Sequence, residues 1–141
     1  MKSHLFPFEK ELRNADQQTF RYQALLLWKC IYKVLENYLR KNNDWIMVRH
    51  EDLSENPLLE FKSLYEKLDL KWSDQVEGKL EQMTSSDNPA EARGSKTHQL
   101  SRDSASLAKS WQTHYDSSEI EEMKVYIYPH SSYYYTDAYW K

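Results

Sequence analysis

Four residues constrain this chain more than any other feature. Trp45, Ile46, Met47 and Val48 form an apolar, partly β-branched run that stops at Arg49-His50-Glu51-Asp52. The run lacks the in–out alternation of a half-exposed strand. Its continuity suits a strand covered on both faces, as in a parallel sheet. A short buried helix is the rival reading, because periodicity does not separate the two over so few residues. A strand must pair its backbone N–H and C=O groups, since leaving them buried and unpaired is costly. Residues 125–128 and the tail "HSSYYYTDAYWK", which reads as extended, are the other candidate mates, and both are weak. Either a second copy supplies the mate, or the strand belongs to a larger sheet that these 141 residues do not contain.

Around this run the chain reads as helical. From about Gln17 to Arg40, Phe20, Ala24, Leu27, Trp28, Ile31, Leu35 and Tyr38 recur at steps of three or four, a stripe for burial. Leu25, Leu26 and Val34 widen it, so this helix is expected to be covered on more than one side. A second helix starts at Pro57 after Asn56, with Leu58, Phe61, Tyr65 and Leu68 as its buried stripe. Ser73 caps a third, carrying Val76, Leu80 and Met83. Residues 85–104 are polar and aperiodic and read as a long loop, a length that tends to be functional or disordered. A fourth helix starts near Asp103 or Ser104. A fifth follows Asp116, where Asp116 and Glu119 have capping-box spacing, and ends at Pro129. The expected fold is a mostly α-helical fragment with one or two short strands. It is taken as a single domain over residues 1–141, with 1–16 and 129–141 loosely packed.

Composition narrows the function. Apolar residues make up 40% and charged residues 29%, a globular and not a disordered balance. A net charge of −3 gives no reason to expect nucleic acid as a partner. No apolar run reaches the roughly 18 residues of a membrane span, and the N-terminus lacks the pattern of a signal peptide. The lone Cys30 excludes an intrachain disulfide and, as a small core residue, suits a reducing compartment, so the expected location is cytoplasmic. The five histidines are scattered without zinc-ligand spacing and read as surface or capping groups.

Two clusters carry chemistry. In open α/β sheets, ligands bind beyond the carboxyl ends of strands, which is where Arg49 and His50 would sit. Arg49 can meet an anion through its planar fork, and His50 can stack on a ring. The structural alternative is an Arg49–Asp52 pair that fixes the turn into the next helix. In the second cluster, Arg102 and Ser104 stand at a helix start whose amides are free, a combination suited to an anion. There the alternative is a plain Ser or Asp cap.

The string "VRHEDLSENPLLEFKSLYEKLDL" resembles the strand-loop-helix of sulfotransferases that use 3′-phosphoadenosine 5′-phosphosulfate. In that family an apolar strand leads into Arg-Tyr-Glu-Asp-Leu, then an Asn/Asp-Pro helix start, then a Leu-Gly-Leu-like stretch. Here His50 replaces the tyrosine and Asp69 stands where glycine is common. The later "RDS…W" and "SSEIEEMK" resemble the family's downstream arginine loop, its tryptophan and its closing helix. The spacing from Arg102 to Trp111 is longer than in the best-known members. The similarity runs over roughly residues 24–123. It implies that His50 lies near the adenine, that Arg102 contacts the 3′-phosphate with Ser104 assisting, and that Arg49, Glu51 and Asp52 shape the loop.

The family's glycine-rich 5′-phosphosulfate loop, its second phosphate motif and its catalytic base have no counterpart here; Gly78 lies in a helical pattern and Gly94 in a polar loop. The chain therefore resembles the C-terminal half of such an enzyme. It is expected to be inactive alone and to hold no nucleotide tightly. Two other readings stand beside this one. The first is a stand-alone helical module that forms a homodimer through exposed apolar surface or its unpaired strand. The second is an inactive relative that binds adenine nucleotides.

Overall fold

The computed structural model describes residues 2–90, 100–128 and 130–140. The described residues are mostly helical and form no strand. Eight α-helices follow in chain order: α1 (Lys2–Leu5), α2 (Glu9–Arg13), α3 (Phe20–Leu39), α4 (His50–Glu55), α5 (Pro57–Lys67), α6 (Asp74–Thr84), α7 (Ser104–Ala108) and α8 (Ser117–Ile127), joined in places by single 3-10 turns. They divide into two compact units. One comprises Met1–Ile46 with Asp116–Lys141, and the other Met47–Tyr115.

The first unit is organised on α3. Thr19 caps it by accepting from the Tyr22 amide, which sets its start. Its interior is small: Phe8, Leu26 and Cys30 are buried together, with Leu5, Ala15 and Tyr22 against them. Helix α8 adds Met123 and Ile127. Its start is a complete capping box, Asp116 accepting from the Glu119 amide and Glu119 accepting from the Asp116 amide. Ionic and aromatic contacts close the unit. Lys29 lies 3.2 Å from Glu11 and 4.2 Å from the centre of the Tyr126 ring, whose hydroxyl donates to Glu11 at 2.6 Å. The buried Glu36 carboxylate is met by Lys33 at 3.2 Å and by His130 Nδ1 at 3.1 Å. Ser131, near the chain end, is also buried.

The second unit packs α4 against α5 and α7, and α5 against α6. Ser73 caps α6 by accepting from the Val76 amide. Helix α5 ends in a Schellman motif: the Leu70 amide donates to Tyr65 O at 2.8 Å and the Asp69 amide to Glu66 O at 3.1 Å. Asp69 sits there with φ 53°, the left-handed conformation usually left to glycine.

Three expectations are corrected. First, residues 45–49 are not a strand. The N–H groups of Ile46, Met47 and Val48 find no backbone acceptor among the described residues, and β-propensity without a mate does not make a ladder. The candidate mate at 125–128 lies largely in α8, because the capping box at Asp116 starts a helix that runs through Ile127. Second, the tail is not extended but coiled into 3-10 turns at Ser131–Tyr133 and Asp137–Trp140. Third, α3 buries a different stripe from the one expected. Leu26, Cys30 and Glu36 face inward, while Phe20, Leu27, Ile31 and Tyr38 are exposed. The helix has two apolar sides, and Phe8 packs onto the Leu26–Cys30 side. Pro129, expected to end α8, and Gly94 and His98 of the long loop lie outside the described residues.

Candidate functional site

All three residues singled out for nucleotide contact, His50, Arg102 and Ser104, lie in the second unit. Arg49 ends the irregular stretch 45–49 in an extended conformation (φ −93°, ψ 139°), and the chain turns straight into α4. The turn is held by Arg49 and Asp52. Arg49 Nε donates to Asp52 Oδ2 at 2.7 Å and Nη2 bonds Oδ1, a two-pronged pair in which planar fork meets planar carboxylate. The Arg49 guanidinium thus has a carboxylate of its own chain where an external anion would otherwise sit. Two residues later Ser54 is buried, and its hydroxyl lies 3.4 Å from His50 Nε2, at the outer limit of a hydrogen bond. The His50 ring is exposed at the first residue of α4.

The second cluster is brought to the same corner. The Arg102 amide donates to Met83 O at 2.8 Å, and the Asn88 side chain reaches Gln82 O at 2.9 Å and Arg102 O at 3.4 Å. These bonds pin the far end of the 85–103 connection beside the end of α6. The chain then enters α7, which packs on α4. Ser104 makes the tie: its hydroxyl donates to Ser54 O at 2.8 Å, with Thr84 O at 3.4 Å. Lys109 and Glu55, 3.9 Å apart, add a partly exposed ion pair across the same two segments.

This geometry assigns the expected residues different work. Asp103, not Ser104, caps α7 by accepting from the Ser106 amide at 3.2 Å. A carboxylate therefore occupies the helix start expected to take an anion. The Ser104 proton points at carbonyl oxygens, so Ser104 positions α7 against α4 and offers an incoming anion no donor. Arg102, half-buried, is the group in this cluster whose chemistry fits a phosphate. A side-chain-to-backbone bond thus registers two segments 50 residues apart in sequence, one carrying Arg49 and the exposed His50 and the other carrying Arg102.

Sequence reasoning missed the carboxylate clusters of the first unit. Glu36 with His130, and Glu11 with Tyr126, pair residues 94 and 115 positions apart. No local spacing signals such pairs. Burial pushes the Glu11 carboxyl up, but hydrogen bonds from Tyr126 and Lys29, the charge of Lys29 and a bond from Tyr22 outweigh it, and the net shift is downward. Burial raises the Tyr126 phenol well above its ordinary range, and its bond to Glu11 raises it further. Burial also raises the Cys30 thiol, with the Glu11 charge adding to the effect, so it stays protonated and unreactive as a core residue. These groups hold the first unit together.

No helix among the described residues is long and apolar enough to cross a membrane. Comparison of the chain with protein-family models, with curated proteins and with solved structures gives no match.

Proposed function

We propose that this chain is the C-terminal, nucleotide-facing part of a cytoplasmic sulfotransferase that uses 3′-phosphoadenosine 5′-phosphosulfate. The observation that carries the reading is the α4–α7 corner. A nucleotide held by both clusters requires α4 and the segment entering α7 to be neighbours, and the Ser104 hydroxyl bonded to the Ser54 carbonyl supports this. Two further features support it. Asp69 adopts the left-handed conformation at the position where the resemblance puts glycine. The apolar residues 45–48 are between 37% and 50% exposed, a surface that a further part of such a fold would cover.

In the complete reaction an acceptor hydroxyl or amine attacks sulfur, the S–O bond to the nucleotide breaks, a base takes the acceptor proton and adenosine 3′,5′-bisphosphate leaves. His50 stacks on the adenine, Arg102 meets the 3′-phosphate, and Ser104 positions Arg102's segment without touching the ligand. The Arg49–Asp52 pair sets the turn that presents His50. The cradle for the 5′-phosphosulfate and the base are not supplied by these residues, so the chain alone binds weakly and transfers nothing.

Titration of ¹⁵N-labelled protein with adenosine 3′,5′-bisphosphate tests this. The expected result is weak binding, on the order of 1 mM (about 4 kcal/mol), with shifts confined to the start of α4 and residues 100–104. Arg102→Ala should abolish them, and adenosine without phosphates should reproduce only those near His50. Shifts located elsewhere, or none at saturating nucleotide, would contradict the reading.

A further inference from the structure

Helix α3 is built inside out. Its four charged residues all engage their own unit: Arg21 with Glu119 at 2.5 Å, Lys29 with Glu11, Lys33 with Glu36, and Glu36 with His130. The residues of α3 that stand exposed are Phe20, Ala24, Leu27, Ile31 and Tyr38, and every one is apolar or aromatic. Their exposure is high, 85% for Phe20, 60% for Leu27 and 53% for Ile31. A surface helix ordinarily turns its charged face to water. Here the outward face has no charge along its whole length. The half-buried Val34 and Leu35 continue it, and Trp45, stacked on Tyr38 with ring centres 5.9 Å apart, extends it beyond the helix end.

The spacing of this face identifies what fits it. Positions 20, 24, 27, 31, 34 and 38 alternate steps of four and three, the seam of a helix pair. The series is also symmetric about its midpoint. When the helix meets a copy of itself running the opposite way, Phe20 faces Tyr38, the small Ala24 faces Val34, and Leu27 faces Ile31. A two-fold contact requires a patch complementary to itself. This one pairs ring with ring and small with medium, and it sets no like charges against each other. Nothing charged on the face selects against a second copy of a chain whose net charge of −3 opposes association elsewhere.

We propose that the outward face of α3 docks on the same face of a second copy, antiparallel and two-fold related. The inference does not rest on the sulfotransferase reading. A chain that pairs but ignores nucleotide keeps the one and loses the other.

Sedimentation equilibrium of the full chain over about 1–500 μM should show reversible formation of a species twice the 17.0 kDa chain mass. Ile31→Glu and Leu27→Lys substitute exposed positions, so each should keep the parent's helical circular dichroism. Each should also weaken pairing more than about 100-fold, because each buries unpaired charge at the seam. Mixing the two variants should restore a 1:1 dimer, because the antiparallel register sets position 27 of one chain against position 31 of the other, so that the introduced ammonium meets the introduced carboxylate. A parent that stays monomeric over the whole range would overturn the proposal. So would a dimer indifferent to Ile31→Glu, aggregates without a fixed stoichiometry, or a mixture that remains monomeric.

Discussion

At the scale of single residues, Asp69 shows how a departure from a pattern becomes a measurable strain. Its φ of 53° closes the Schellman turn of α5. A non-glycine residue held there carries a steric penalty that glycine avoids, and asparagine and aspartate tolerate it better than most. Asp69→Gly should therefore raise stability by about 0.5–1 kcal/mol in urea unfolding. Glu11 gives a second test. Its carboxyl is held below the ordinary glutamate value of 4.5. A depressed folded pKa contributes stability that is complete above the unfolded value and is lost as pH falls through the folded one. Glu11→Gln should be less stable than the parent at pH 7, and the gap should narrow as pH falls below 4.5. A gap that is constant with pH would show that the glutamine variant loses shape and not charge. At this scale Asp69 is visible in the sequence, because Leu68-Asp69-Leu70 sits at the end of a periodic helical stripe. Glu11 and Glu36 are illegible there, because their partners are brought in by tertiary packing alone.

At the scale of elements, caps are the most readable signal. Ser73 and the Asp116–Glu119 box each act as their spacing implies, because capping is local chemistry between a side chain and amides two or three residues on. Asp116→Ala should cost about 1 kcal/mol, read as a lower unfolding midpoint with an unchanged denaturant slope. A change below about 0.3 kcal/mol would mean that α8 is held by Met123 and Ile127 alone. Which face of α3 turns inward is not readable. Periodicity finds apolar stripes, and α3 has two, so the choice belongs to what the rest of the chain brings against it. Residues 45–49 fail as a strand for a related reason: a strand is a property of two segments, and the sequence displays only one. The short helices α1, α2 and α4 carry too few turns for a period to show.

At the scale of the molecule, two units with slender interiors expose much apolar surface, from Phe20, Leu27 and Ile31 to the run at 45–48. Such surface marks interaction sites. We propose a second copy for the α3 face and a nucleotide for the α4–α7 corner, while the run at 45–48 is irregular and exposed. The central claim is that residues 46–48 have no backbone hydrogen-bonding mate among the described residues. Amide hydrogen exchange measures it directly. Ile46, Met47 and Val48 should exchange within about tenfold of unstructured rates, while amides in the middle of α3 are protected by orders of magnitude. Protection at residues 46–48 equal to that of α3 would mean that this run has a hydrogen-bonding partner, and the claim would fail.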